Sequence, residues 1–231
     1  MLRAISFFFL LIASGPNTAA AVSKIPTETV YSTAENLLWL SDHLANISQP
    51  IKLRYKFEKT GSLEEAITDI VELEIVKVHQ DGMKDTKVNF FTGERHHYVP
   101  LKERVNGNPV LSLYLEGDTH EMQRLTEGGW LYFQRRIKAA LASAAEIQPI
   151  SFEFNGQKLE GTKIVIAPYV NDPKRLLFEK FADKIYEFTL SNQIPGSLYQ
   201  IRTVVPAKTG TNSGSSQPLL QETLAFVDIY P

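Results

Sequence analysis

Cysteine is absent from all 231 residues. No disulfide can hold the fold, no thiol can serve as nucleophile, and no lipobox cysteine is there to be acylated. Long apolar runs are missing as well. Beyond the first residues no stretch reaches the roughly 18 uninterrupted apolar residues that mark a spanning helix. There is no Gly-rich phosphate loop, no G-x-S-x-G elbow, no H-E-x-x-H and no other cofactor motif, so the commonest nucleotide, hydrolase and zinc signatures are excluded. Charge of one sign is scarce too: 24 Lys and Arg against 26 Asp and Glu leave −2, with no long block of either sign. Bulk attraction to nucleic acid is excluded on that ground.

What is present begins with residues 1–21, which hold one charge, at Arg3, then an apolar run from Ala4 to Ala13, then Gly15-Pro16 and the small cluster Ala19-Ala20-Ala21. That order is a secretory signal peptide's, with cleavage expected after Ala21. The run is too short for a spanning helix, which takes about 20 apolar residues. The expectation is an exported, periplasmic protein without a transmembrane anchor once the signal is removed. It comprises residues 22–231 as a single β-rich domain, with a helical insert at about 108–143. Losing Arg3 takes the net charge to −3. Without disulfides, stability must come from a buried core, which about 210 residues can supply.

Residues 22–31 read as a tether. Ser32-Thr33-Ala34-Glu35 is a capping box, and Leu37, Leu40, Leu44 and Ile47 follow at helical spacing up to Pro50. From Ile51 to Glu58, Ile51, Leu53, Tyr55 and Phe57 alternate with Lys52, Arg54, Lys56 and Glu58, which predicts a half-buried strand. A second strand over Ala66–His79 fits it in one register. Facing Thr60 with Ala66 brings Arg54 to Glu72, Lys52 to Glu74 and three apolar pairs together, and each such pair contributes about 0.2–1 kcal/mol. Asp81-Gly82 reads as a two-residue turn, setting Ile75 opposite Val88 and Leu73 opposite Phe90.

A loop from Thr92 to Gly107 leads to Asn108-Pro109, an N-cap with proline at the first helical position. Helix is expected to about Thr126, with an interruption open at Gly117-Asp118, and again over Trp130–Ser143. Strands follow at Ile150–Phe154 and Gln157–Ala167 around Asn155-Gly156, with a bulge expected near Gly161 where the apolar parity changes. Asp172-Pro173 opens a short helix. Pairing across Pro195-Gly196 sets Leu190, Phe188 and Tyr186 against Ile201, Thr203 and Val205. Ala207–Pro218 is a Gly/Ser/Thr loop, and Leu219–Ile229 a closing strand.

Chemistry-bearing residues are few. Glu94, His96, His97 and His120 have the donor types of a zinc or copper site, and equally those of a solvated loop. Arg124, Tyr132, Arg135 and Arg136 have the makings of an anion clamp, or of a helix's wet face. Asp69 and His79 fall on or near an apolar strand face, either paired in a cavity or reaching water at strand ends. The broader signal is aromatic: Tyr55, Phe57, Phe90, Phe152, Tyr186, Phe188 and Tyr199 on inward faces, with Trp39, Trp130 and Phe133 on covering helices. Core packing accounts for them. So does a ligand cavity, because buried tyrosine hydroxyls need partners and rim ligand pockets. The candidate ligand-binding set is Tyr55, Phe57, Phe90, Trp130, Phe133, Tyr186, Phe188 and Tyr199.

The expected class is α+β, a curved antiparallel sheet or incomplete β-barrel of about eight strands with covering helices. That layout, carried by Ile51–Phe91, Lys184–Val205 and an apolar helix such as Trp130–Leu141, resembles the periplasmic lipoprotein-carrier (LolA and LolB) superfamily and its exported relatives. The resemblance implies a non-catalytic carrier of a hydrophobic small molecule or lipid. The missing lipobox cysteine excludes the anchored member, and no motif transfers a functional residue. The alternatives are an assembly module of a cell-envelope complex, docking an envelope protein through loops 92–107 or 207–218, and a metal-dependent or hydrolytic enzyme built on Glu94 and His96.

Overall fold

The computed structural model describes residues 30–207 and 217–230. The segment read as a signal peptide, with the cleavage site expected after Ala21, most of the expected tether and most of the loop 207–218 lie outside the described residues. Tyr31–Pro231 form one compact unit.

Its frame is one antiparallel sheet of ten strands: β1 (Ile51–Gly61), β2 (Ile67–Val78), β3 (Lys84–Phe90), β4 (His97–Tyr98), β5 (Lys102–Val105), β6 (Glu146–Phe154), β7 (Gln157–Ile166), β8 (Ile185–Leu190), β9 (Leu198–Val205) and β10 (Leu220–Tyr230). The order is β4-β3-β2-β1-β10-β9-β8-β7-β6, with β5 also on β3, so the sheet has two free ends and is open. Eight strands are long. The two extra ones, β4 and β5, are two- and four-residue pieces inside the expected 92–107 loop. One face of the long strands is buried, through Leu53, Tyr55, Val71, Leu73, Ile164, Phe188, Ile201 and Leu224. Two helices cover it, α2 (Pro109–Leu125) and α3 (Trp130–Ser143), which bury Val110, Leu111, Tyr114, Met122, Phe133, Ile137 and Leu141 in the same core. Each such side chain contributes about 1.5–3 kcal/mol of burial.

The β1–β2 register matches the sequence reading residue for residue, from Ile51 opposite Ile75 to Arg54 opposite Glu72. The next hairpin differs. Leu73 faces Val88, and Ile75 faces Thr86. The turn is closed by His79 N–H to the Met83 carbonyl, a three-residue loop with Gly82 at φ 84°, and a shift between Ile75 and Lys77 takes up a second residue. The β8–β9 hairpin departs in the same way. Phe188 faces Ile201 and Tyr186 faces Thr203, because the connection runs from Ser191 to Ser197 and the ladder shifts at Thr189/Leu190. Both slips are by two residues, so the buried face is preserved.

The parity change near Gly161 has another cause than the bulge expected there. β6 and β7 pair without a shift, Phe152 opposite Leu159 and Ile147 opposite Ile164. Leu159 and Ile164 are nonetheless both buried. The hairpin turns its other face inward at Gly161, where an added Cβ would sit 2.7 Å from the Leu190 carbonyl oxygen.

The first helix is shorter than its periodicity suggests. The Ser32 capping box forms, but α1 (Thr33–Glu35) continues only as a π-helical turn, Asn36–Leu40. Its buried residues are Ala34 and Leu38, whereas Leu40 is half exposed and Leu44 and Ile47 reach the core from the turns that follow. α2 runs unbroken through Gly117-Asp118.

Candidate functional site

The eight aromatic candidates do not share one hollow. Phe57 and Phe90 meet through Phe91, at 4.9 and 4.8 Å between ring centroids. Tyr55 and Tyr199 are linked through Phe226 and Phe154, and Tyr199 also stacks on Phe152 at 4.1 Å. Phe133 and Tyr186 both contact Tyr169. Phe188 is fully buried opposite Ile201, and Trp130 stands apart, stacked on His120 at 5.0 Å. These rings have protein partners, and six of the eight belong to the buried core.

Beneath α2 the core is polar as well as aromatic. Asn108 caps the helix, accepting the Val110 N–H at 3.1 Å, while its Nδ2 donates to the Tyr55 hydroxyl at 3.0 Å and the Gly196 carbonyl at 2.9 Å. The Asn108 N–H donates to His43 Nδ1 at 3.1 Å, which leaves the proton on Nε2 to donate to the Leu37 carbonyl at 2.7 Å. Burial pushes the His43 pKa down against the opposing pull of that carbonyl and of Asp42. The neutral ring is the form this network needs.

One turn apart on α2, Tyr114 and Asp118 face the sheet. Asp118 is ion-paired with Lys184, both almost wholly buried, and accepts the Tyr186 hydroxyl at 2.7 Å, with the Tyr169 hydroxyl 3.0 Å beyond. Tyr114 donates to Glu222 at 3.3 Å, and Glu222 pairs with Lys59 at 3.5 Å. Burial, with Asp118 or Glu222 nearby, lifts the pKa of Tyr114, Tyr169 and Tyr186 well above the ordinary phenol. They stay protonated donors. Sequence reading missed this ion pair because Asp118 sits beside Gly117, where a helix break was the simpler reading; an acid one turn from a buried tyrosine was the available signal.

The open space lies elsewhere. A groove of about 570 Å³ runs between the C-terminal half of α3 and the end of β7. Ala139, Ser143 and Ala144 line the helix side, Val165, Pro168 and Val170 the other, and Arg136, Glu146 and Asn171 add to Ser143 as its polar members. Its width comes from small side chains on α3. Arg136 is held at one edge by Asp172, 2.6 Å away, which also accepts the Tyr132 hydroxyl at 2.8 Å. Tyr132 and Arg136 thus do clamp an anion, the chain's own buried carboxylate. Burial, then Asp172, raises the Tyr132 pKa. Arg124 pairs instead with Glu64 and Glu121, and Arg135 is exposed. A second hollow of about 350 Å³ lies beside the β1–β10 irregularity, bordered by Arg54, Tyr55, Ile70 and Val227. Among the eight aromatic candidates, Tyr55 alone lines either space.

The remaining polar candidates have local partners. Asp69 is buried and accepts from Thr92 at 2.8 Å and from Arg95 at 2.8 Å; burial would raise its pKa, but these bonds and the Ile70 N–H outweigh it and hold the carboxyl below its usual range. His79 bonds Asp85 at 2.7 Å near the turn. Among the described residues no three His, Asp or Glu are placed to hold a metal, so Glu94, His96, His97 and His120 do not converge. Nor, among those residues, is any helix long and apolar enough to cross a membrane.

No known family model and no curated protein matches the sequence. Among solved structures the chain is similar to the lipoprotein LppX of Mycobacterium tuberculosis (10% identity, 84% of this chain and 94% of that one, TM-score 0.33). It is also similar to a LolA superfamily protein from Nitrosomonas europaea (7% identity, 87% and 93%, TM-score 0.21) and to a putative outer membrane lipoprotein-sorting protein domain from Vibrio parahaemolyticus (11% identity, 81% and 88%, TM-score 0.24).

Proposed function

We propose that the chain is exported to the periplasm and there binds an apolar or lipid-like molecule between its sheet and its helices, without chemical conversion. The supporting observation is the groove between α3 and β7. Its volume of about 570 Å³ lies within the roughly 300–1,000 Å³ of small-molecule sites, and its walls are mostly Ala, Val, Ile and Pro. Of the eight aromatic residues, Trp130 and Phe133 belong to α3 itself, and none of the eight lines this groove.

The test is organic extraction and native mass measurement of the chain from Val22, with displacement of an apolar fluorescent dye. An Ala139→Phe variant fills the groove from an exposed helical position and is expected to abolish displacement. Absence of any extractable or displaceable ligand in the parent protein would overturn the reading.

One observation favours a second reading, an envelope-assembly module. In the β4–β5 region Tyr98 is 79% exposed and Leu101 48%, at a free end of the sheet. Co-purification from membranes that is lost on Tyr98→Ser would support it.

A further inference from the structure

Three lysines are buried among the described residues, Lys59, Lys84 and Lys184. Lys59 is paired with Glu222 at 3.5 Å and Lys184 with Asp118. Lys84, at the start of β3, is only 2% exposed, yet among the described residues it meets no carboxylate and makes no side-chain hydrogen bond. Two residues along the same buried face of β3, the Thr86 hydroxyl is also buried without a hydrogen-bond partner. A charge or hydroxyl taken out of water unpaired is costly, and native chains nearly always satisfy both. Here the two share one strand face, with about 7 Å between their Cα atoms.

The ladder adds a third donor. β5 pairs with β3 through a shift, so that Val105 faces Lys84 and Lys102 faces Thr86, although the two β5 residues are three apart. The chain makes that shift beside Arg104, which takes φ 55°, in the left-handed region that non-glycine residues rarely enter. The Arg104 N–H donates to Asp85 at 3.0 Å and its guanidinium pairs with Asp81, so these two acids hold the conformation that sets Lys102 opposite Thr86. The acids nearby are otherwise engaged. Asp85 lies on the opposite strand face and bonds His79 at 2.7 Å. Leu44, whose N–H donates to the Asn106 carbonyl just beyond β5, also donates it to Asp42 at 3.2 Å, and Glu103 is exposed. On its other flank β3 meets only Val78 and Ile75 opposite Lys84 and Thr86.

We propose that this end of the sheet binds one small oxyanion, sulfate or doubly ionised phosphate, between Lys84, Thr86 and Lys102. Lysine only donates hydrogen bonds and the unpartnered threonine hydroxyl is free to donate, so all three suit a ligand that accepts throughout. An oxyanion bonded on each side at about 2.8 Å spans the distance between two side chains of one strand face. Lys102 is exposed at a free end of the sheet and gives the ion its way in. Lys84 is so little exposed that a free ion reaches it more readily than a phosphate carried on an organic body. The site lies at the β3–β5 end of the sheet, away from the β6–β7 end that borders the groove, and does not depend on the groove being filled.

The experiment is calorimetric titration and thermal unfolding of the chain from Val22, which contains the entire compact unit Tyr31–Pro231, with sodium sulfate or phosphate against sodium chloride at equal ionic strength. The parent is expected to bind one sulfate saturably and to unfold at a higher temperature with it. Sulfate also raises unfolding midpoints by general exclusion from protein surfaces, so the variants decide. Lys84→Met is expected to lose sulfate affinity by about ten-fold or more. Its midpoint in chloride is expected to equal or exceed the parent's, because the change removes a buried charge that has no partner to lose. Thr86→Val is expected to keep the chloride midpoint and to weaken sulfate by about three-fold or more. Glycerol 3-phosphate is expected to bind about ten-fold more weakly than inorganic phosphate, and equal binding would overturn the assignment to a free ion. No saturable binding by the parent, or a sulfate effect identical in the parent and in Lys84→Met, would overturn the site itself and leave Lys84 and Thr86 to water alone.

Discussion

The sheet is covered in two ways, by α2 over its middle and by α3 toward the β6–β7 end, and the two differ in kind. Under α2 the space is full: the aromatic rings touch, and Asn108, Asp118, Tyr114 and Glu222 are bonded within the core. Beside the C-terminal half of α3 the space is open because the helix presents Ala139, Ser143 and Ala144 where larger residues would reach the strand. Large aromatic residues on an inward face report the first situation. A cavity is written in the sequence as small residues, which carry little signal of their own.

The comparison can be broken most severely at Asp118. Asp118→Leu strands the Lys184 charge in a dry site and is expected to destabilise the protein by about 3–5 kcal/mol in urea unfolding, while Asp118→Leu with Lys184→Met restores most of that. A cost under about 1 kcal/mol for the single change would mean that the space under α2 is wet. Asn108→Ala is next. It removes the helix cap and leaves the Tyr55 hydroxyl unbonded, for an expected loss of about 1–3 kcal/mol.

His43 gives a smaller effect with a defined sign. Its folded pKa lies below the ordinary value of 6.5, so below that pH the unfolded chain binds more protons. The stabilisation is complete above about 6.5 and is lost as pH falls from there through the lower folded value. The unfolding midpoint is therefore expected to drop on acidification in that window, and His43→Asn to flatten the drop. Smallest on stability is Ala139→Phe, expected within about 0.5 kcal/mol of the parent because the groove has room. A large penalty there would show that the groove is closed in solution.

Strand identity and buried face were legible because alternation has a period of two and both slipped hairpins slipped by two. Register was legible only where both faces constrained it, as in β1–β2, with charged pairs outside and apolar pairs inside. β2–β3 and β8–β9 had one constraining face, so turn length decided, and Asp81-Gly82 and Pro195-Gly196 each sit in longer connections than their dipeptides suggest. The helical period ran on to Leu40, which the fold leaves half exposed while Leu37 is only partly buried against the core, since α1 ends in a π-turn and the following residues pack from irregular chain. For the site, the chemistry of Arg124, Tyr132, Arg135 and Arg136 suited either an anion clamp or a wet helix face, and only Tyr132 and Arg136 meet a buried carboxylate. That their anion is Asp172, 36 residues beyond Arg136, depends on tertiary approach, and no local pattern encodes it.

The position of β10 carries a consequence for how the molecule comes to be folded. Last of the ten strands in chain order, it lies between β1 and β9 in the middle of the sheet. Until it has been made, the meander of β1–β3 and the meander of β6–β9 have no shared ladder, and each keeps an unpaired edge. Joining them closes a loop of well over a hundred residues, a contact order that slows folding. The sheet is completed only once β10 is available, after the other nine described strands have been made.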